Sequence, residues 1–291
     1  MKIAAFLFLF LLLTSTVSAQ PGNRDQTVTW EPAKLVNGSP CVFRFKPARQ
    51  LESLGGKWLG KKVWFSFDGG SGAWVGFAGI DIDTKPGGHQ LELEAVARGG
   101  ERLTFNQVVP IEKGFYPVTT LTVPRKYVEP APEDLARIQQ ERKIKDETFS
   151  RITNERLWSG GFTAPVGTPT TAGFGSQRTY NGQRQSIHQG LDFRAATGTP
   201  VKAVNSGRVI LAREFYFEGG LLVIDHGQGL LTLYLHLSAF RVKEGDTVGR
   251  GQLVALSGGT GRATGPHLHL AVRWQGVYVD PATLLRLPLP Q

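Results

Sequence analysis

Residues 220–238 read GLLVIDHGQGLLTLYLHLS, two apolar runs of strand length joined by a glycine-rich turn. Short apolar runs bounded by glycine and Asn/Asp turns are read as strands, because helices need longer, 3.6-periodic stretches. The pattern recurs on both sides, in TPVKAVNSGRVILA (199–212), QLVALSG (252–258) and PHLHLAVRW (266–274). Residues 159–287 therefore read as an all-β domain. The final LPLPQ (287–291) carries no signal beyond an extended end.

Upstream, the pattern is period-two. Phe43 and Phe45 alternate with Arg44 and Lys46, and Val63, Phe65 and Phe67 alternate along 61–68, as do Leu91, Leu93 and Ala95 along 89–97. Turns such as DGGSG and PGGH separate these runs, so residues 20–125 read as a β-sandwich-like domain. His89, in a turn before one strand, has no metal partners around it. Between the two β regions, residues 126–158 read as a charged helical linker. Pro132 with Glu133 and Asp134 signals a helix start. Leu135, Ile138, Phe149 and Ile152 make a sparse apolar stripe, which fits a solvated helix lying on one or both domains better than a coiled coil.

The first 19 residues stand apart. Lys2, an apolar run from Ile3 to Leu13 and small residues at Val17 and Ala19 match a secretory signal cleaved after Ala19. The run is shorter than the roughly 20 residues that span a bilayer, and no later segment is long and apolar enough to do so. Export places the protein in the periplasm or outside the cell. Cleavage would lower the formal charge from +9 to +8 by removing Lys2. The charges are scattered, with no basic block or arginine-rich helix, which argues against a nucleic-acid partner. The lone Cys41 excludes an internal disulfide and a cysteine zinc site. It reads as a small buried hydrophobe.

Five of the six histidines, His188, His226, His236, His267 and His269, lie in the second β region. Buried imidazoles need polar partners, so a core rarely holds so many. His267 and His269 are two apart, and on a strand residues i and i+2 leave the same face. His188 and Asp192 are four apart and can reach one point. Two histidines and a carboxylate make a three-ligand zinc set that leaves a position for water. His226, before Gly227, reads as structural, since a fourth protein ligand would close that position. The small residues of GGTGRATG (258–265) read as a tight turn or as room for an extended peptide beside the histidine strand. Arg178 and Tyr180 precede the first ligand without a placement readable from sequence.

The blocks HQGLDF, GTPVKAVNSGRV, VIDHGQGLLTLYLHLS, VKEGDTVGRGQLVALSGGTGRATGPHLHLAV and YVDP resemble, in order, those of the lysostaphin-type zinc endopeptidases. The resemblance spans about residues 160–285. It implies an antiparallel β-sheet metallopeptidase domain with one Zn2+ held by His188, Asp192 and His269. His236 and His267 would be the catalytic pair, and the substrate would be the cross-link or stem peptides of bacterial peptidoglycan. Zinc lowers the pKa of a bound water from about 16 toward 7. A free imidazole with pKa near about 6.5 can take that proton and return it to the leaving amine. The sequence does not divide these tasks between His236 and His267.

Two other readings compete. A catalytically silent wall-binding or hydrolase-activating module of the same fold would be expected to lack ligands, and all five positions are present. A biotinyl- or lipoyl-type carrier would need a hairpin lysine that has no counterpart here. The order of the parts raises a further question: whether the upstream β region and helix cover the cleft, or serve as a wall-targeting spacer.

Overall fold

The computed structural model describes residues 27–182 and 184–290; the signal-peptide reading of residues 1–19 lies outside the described residues. The chain is nearly all-β. Seven strands, β1 (Thr27–Glu31), β2 (Pro40–Lys46), β3 (Leu51–Trp58), β4 (Lys61–Asp68), β5 (Ala73–Gly79), β6 (Gly87–Ala97) and β7 (Arg102–Ile111), form one antiparallel path ordered β1-β2-β5-β4-β3-β6-β7. Strand β4 turns its corner: Lys61–Trp64 pair with β3, and Phe65–Asp68 pair with β5. The two layers so formed meet through aromatic side chains in a barrel-like closure. Phe43 lies on Trp58 and Phe45 on Phe105, each pair with ring centroids 5.1 Å apart.

The predicted alternation holds along β6, where Leu91, Leu93 and Ala95 are buried and Glu92 and Glu94 exposed. It fails at Phe67, at the far end of β4, which is 58% exposed and rests its ring against Trp74. His89 sits on β6 rather than in a turn, with its ring near Trp58. Cys41 is fully buried, and that burial pushes its thiol pKa up.

The remainder comprises β8 (Val118–Leu121), α1 (Pro132–Ser150), β9 (Thr170–Ala172), β10 (Gln177–Tyr180), β11 (Arg184–Ile187), β12 (Gly190–Phe193) and β13 (Pro200–Lys202). There follow β14 (Gly207–Phe215), β15 (Gly219–Asp225), β16 (Leu230–Leu237), β17 (Ala239–Phe240), β18 (Thr247–Val248), β19 (Leu253–Leu256), β20 (Leu268–Trp274), β21 (Val277–Val279) and α2 (Pro281–Leu284). The main sheet runs β18-β14-β15-β16-β20-β12-β9, antiparallel throughout, with β21 added to β20. Smaller sheets are β13-β19-β17 and β11-β10-β8. In the last, β8 pairs in parallel with β10, so a strand upstream of the helix is built into the second β region.

One face of the main sheet joins a core continuous with that of the seven-stranded unit. The join is tight. A Cβ at Gly79 of β5 would lie 2.8 Å from Val279 Cγ1 and 3.1 Å from Trp274 Cε3. Lys61 Nζ donates to Gln275 O at 2.7 Å, and Asp280 N donates to Gly38 O at 2.8 Å. The LPLPQ end does more than extend: Leu287 and Leu289 are buried, and Pro290 O accepts from Gly160 N at 2.7 Å.

The opposite face carries Leu211, Phe215, Leu221, Val223, Leu231, Leu233 and Ala271, all buried, and α1 sets Ile144 and Phe149 on it. The helix starts as predicted, with Pro132 in its first turn beside Glu133 and Asp134. The predicted apolar stripe is corrected, since Leu135 and Ile152 are each 46% exposed. The contact face is mixed instead. Glu141 is buried because its carboxylate accepts from Tyr216 N and from Arg137 Nε, both at 2.7 Å. Lys145 pairs with Glu218 in a half-buried ion pair.

Candidate active site

Strand register brings the site together. Asp192 on β12 lies opposite His269 on β20, and Leu235 on β16 lies on its other side. His188 sits between β11 and β12 and turns inward. Among the described residues, His188, Asp192 and His269 each offer a ligand atom within 4.8 Å of the others, and all three are buried. His188 Nε2 is 3.0 Å from Asp192 Oδ1 and 3.0 Å from His269 Nδ1, which is 2.7 Å from the same oxygen. Gly190 is required here by close approach, because a Cβ would lie 2.4 Å from His269 Nε2.

Hydrogen bonds to carbonyls set the tautomers. His188 Nδ1 faces Gly173 O at 2.6 Å, His236 Nδ1 faces Thr260 O at 2.8 Å, and His267 Nδ1 faces Gly265 O at 2.8 Å. A carbonyl only accepts, so each Nδ1 donates and each Nε2 is the ring atom left to face the cluster. For His188 that Nε2 is the atom turned to Asp192 and His269. The donor chemistry fits a divalent cation: two imidazole nitrogens and one carboxylate. Burial lowers the pKa of His269 to about 4, even though Asp192 opposes the shift. Burial also works against the charge of Asp192, but hydrogen bonds and charge from His188 and His269 outweigh it and hold the carboxyl well below its usual range.

His236 and His267 stand beside this triad with ring centroids 4.8 Å apart, and His267 Nε2 is 3.8 Å from Asp192 Oδ1. Burial, followed by the neighbouring His267 and His269, lowers His236 to about 3. Backbone φ at His236 is +63°, where an irregularity in the β15–β16 pairing turns its ring towards the triad. The structure thus places all five singled-out residues in one cluster.

The triad opens on a cleft of about 610 Å3, one wall of which is α1, through Ile138, Lys145 and Phe149. A smaller cavity of about 300 Å3 lies on the side of Thr264, Pro266 and His267. Arg178 and Tyr180 line both. Arg178 Nη2 donates to Asp192 Oδ2 at 2.8 Å, and the Arg262 guanidinium lies over the Tyr180 and Phe217 rings. The sequence contains Arg178 but no local record of one of the two strands that hold it, because β10 pairs with distant β8 as well as with neighbouring β11.

His226 lies outside the cluster, fully buried against Phe162, with Nδ1 donating to Ser206 O and Nε2 accepting from Thr232 Oγ1. Burial lowers its pKa to about 4. A histidine held neutral by folding protonates more readily when unfolded. Its contribution is complete above pH of about 6.5 and fades as pH falls toward about 4, a loss of roughly 3 kcal/mol. In chelator, the parent should therefore lose more urea stability between pH 7 and 4 than His226→Gln. Equal slopes would remove this assignment.

The Peptidase family M23 profile matches residues 186–281, which include all five clustered residues, His188, Asp192, His236, His267 and His269, and all of β12, β16 and β20. The peptidoglycan DD-endopeptidase ShyA of Vibrio cholerae is 48% identical over 104 residues, 35% of this chain and 24% of that protein. The DD-carboxypeptidase/endopeptidase Mpg of Neisseria meningitidis is 41% identical over 105 residues, 36% of this chain and 24% of that protein. The chain thus spans about a quarter of the length of these curated relatives. A crystal structure from Pseudomonas aeruginosa assigned to peptidase M23 matches 87% of this chain and 95% of its own, with 30% identity and a TM-score of 0.66. With that similarity along nearly the whole of a solved relative, and the profile laid over the strands that build the cluster, the chain belongs to peptidase family M23.

Proposed function

We propose that this protein is an exported zinc-dependent endopeptidase that hydrolyses peptide bonds in the cross-links or stem peptides of bacterial peptidoglycan. The observation that carries the reading is the convergence of His188 Nε2, Asp192 Oδ1 and His269 Nδ1 beside two further imidazoles whose Nδ1 atoms are held by carbonyls. In this reading residues 1–19 are the signal, 20–125 the first β domain, 126–158 the helical linker and 159–287 the catalytic domain. The named activities of the Vibrio and Neisseria relatives favour a bond between D-configured residues, and a periplasmic or wall-associated location.

His188, Asp192 and His269 would hold the zinc ion. Bound there, zinc supplies Lewis acidity and makes a water acidic enough to attack at neutral pH. His267 is the more exposed of the free pair, with 18% of its side chain accessible. It accepts the proton of the attacking water at Nε2 and returns it to the leaving amine. His236, held neutral by burial, orients the reacting groups in the cleft. The groove between α1 and β10 receives the extended peptide.

The test uses residues 20–291, zinc-loaded, on purified sacculi, with new free amino groups counted. Amine release should fall at least about a hundredfold with chelator and recover with added zinc. His267→Ala should lose turnover while keeping its zinc. No release from several wall types by protein carrying one tightly bound zinc would overturn the proposal.

A further inference from the structure

We infer that Arg178 is a positioning residue for the metal-binding carboxylate, held on target by strand β8, which lies upstream of the helical linker. The inference rests on the zinc site proposed above. Asp192 divides its two oxygens between two tasks. Oδ1 faces His188 and His269, while Oδ2 accepts from Arg178 Nη2 at 2.8 Å. Both partners are largely buried, with 13% and 9% of their side chains exposed.

Two consequences follow from that division. A guanidinium on Oδ2 leaves the carboxylate one oxygen to offer a cation, which favours one-oxygen ligation and an open water position. A carboxylate shared with a guanidinium also donates less charge through Oδ1, so a bound cation keeps more of its Lewis acidity. Arginine suits this task better than lysine, because its donors are fixed in a plane and its side chain loses less freedom on ordering.

What aims Arg178 is the segment ahead of the helix. Arg178 lies on β10 opposite Thr119 of β8 in a parallel pairing. At the end of β10, Asn181 grips the same segment three times. Its N donates to Leu121 O at 3.0 Å, its Nδ2 donates to Val123 O at 2.9 Å, and its Oδ1 accepts from Val123 N at 3.0 Å. Neighbouring Tyr180 is buried beneath the Arg262 guanidinium. The arginine therefore projects from a strand fixed on both sides.

The experiment compares parent, Arg178→Lys and Arg178→Met in residues 20–291. Zinc dissociation constants come from chelator competition, ligand geometry from the visible spectrum of the cobalt(II)-loaded protein, and kcat and KM from a soluble stem-peptide dimer. Arg178→Met should bind zinc about 10–100-fold more weakly, the lost aim of the carboxylate outweighing the charge it regains, and shift the cobalt bands, with kcat falling more than KM rises. Arg178→Lys should recover part of each. A zinc affinity within about threefold of parent together with an unshifted cobalt spectrum would overturn the inference. So would a change confined to KM, which would make Arg178 a substrate contact. A parent chain that binds no zinc would defeat the zinc-site reading itself, an outcome distinct from a variant that matches a zinc-binding parent.

Discussion

Replacing Asp192 with asparagine is expected to empty the site of zinc and to destabilise the zinc-free protein at the same time. The carboxylate is buried and serves two sides, with His188 and His269 on Oδ1 and Arg178 on Oδ2. An asparagine has one acceptor oxygen. Turned toward Arg178, it points its NH2 donors at the place where a cation would lie. Turned toward the histidines, it points those donors at a guanidinium. Either way a buried charge loses its partner, which costs about 3–5 kcal/mol, and 4 kcal/mol is about a thousandfold in affinity. Zinc content after dialysis, a competition titration and urea unfolding of the zinc-free forms would measure both effects. An Asp192→Asn protein that kept one zinc within about tenfold of parent affinity would show that the carboxylate is not a ligand.

The residues involved show what a sequence can and cannot expose. His267 and His269 could be assigned to one face because side-chain direction on a strand depends only on parity. The burial of Leu91, Leu93 and Ala95 follows from the same rule. His226 is separable from the cluster because a fourth protein ligand would close the water position. By contrast, Arg178 is aimed by a strand that pairs with Val118–Leu121, and nothing near residue 178 records that partner. The helix misled for a related reason. Leu135 and Ile152 are apolar yet exposed, whereas Glu141 is buried because a backbone N–H of Tyr216 meets its carboxylate. Hydrophobic pattern predicts burial where burial is apolar, and fails where a distant polar group supplies the partner. Leu287 and Leu289 give no such signal either, because the core they join runs through both β regions.

The segment before the catalytic strands is expected to be needed for folding, and removing residues 20–157 should cost activity instead of releasing it. Three connections would be lost together. Strand β8 and its grip on Asn181 would leave β10, taking the support from Arg178. The packing of β5 on Trp274 and Val279 would be opened, at a junction so close that Gly79 has no room for a Cβ. Most seriously, α1 would no longer cover the sheet face of Leu211, Phe215, Leu221, Val223, Leu231 and Leu233. Exposing even half of that apolar surface, at about 2 kcal/mol per side chain, amounts to about 6 kcal/mol, against about 5–15 kcal/mol for a whole domain. Residues 158–291 alone should therefore aggregate or unfold without a sharp transition, with activity per molecule at least about tenfold below the full chain. In the full chain, Ile144→Ala combined with Phe149→Ala should lose about 2–5 kcal/mol of stability. The covering arrangement makes the opposite forecast: a soluble, cooperatively folded fragment that cleaves peptidoglycan faster than its parent. Because α1 also forms a wall of the cleft, its removal would change which peptides fit even if the fragment folded, so released fragments from both forms should be compared. A faster fragment yielding the same products would establish that the helix is a lid.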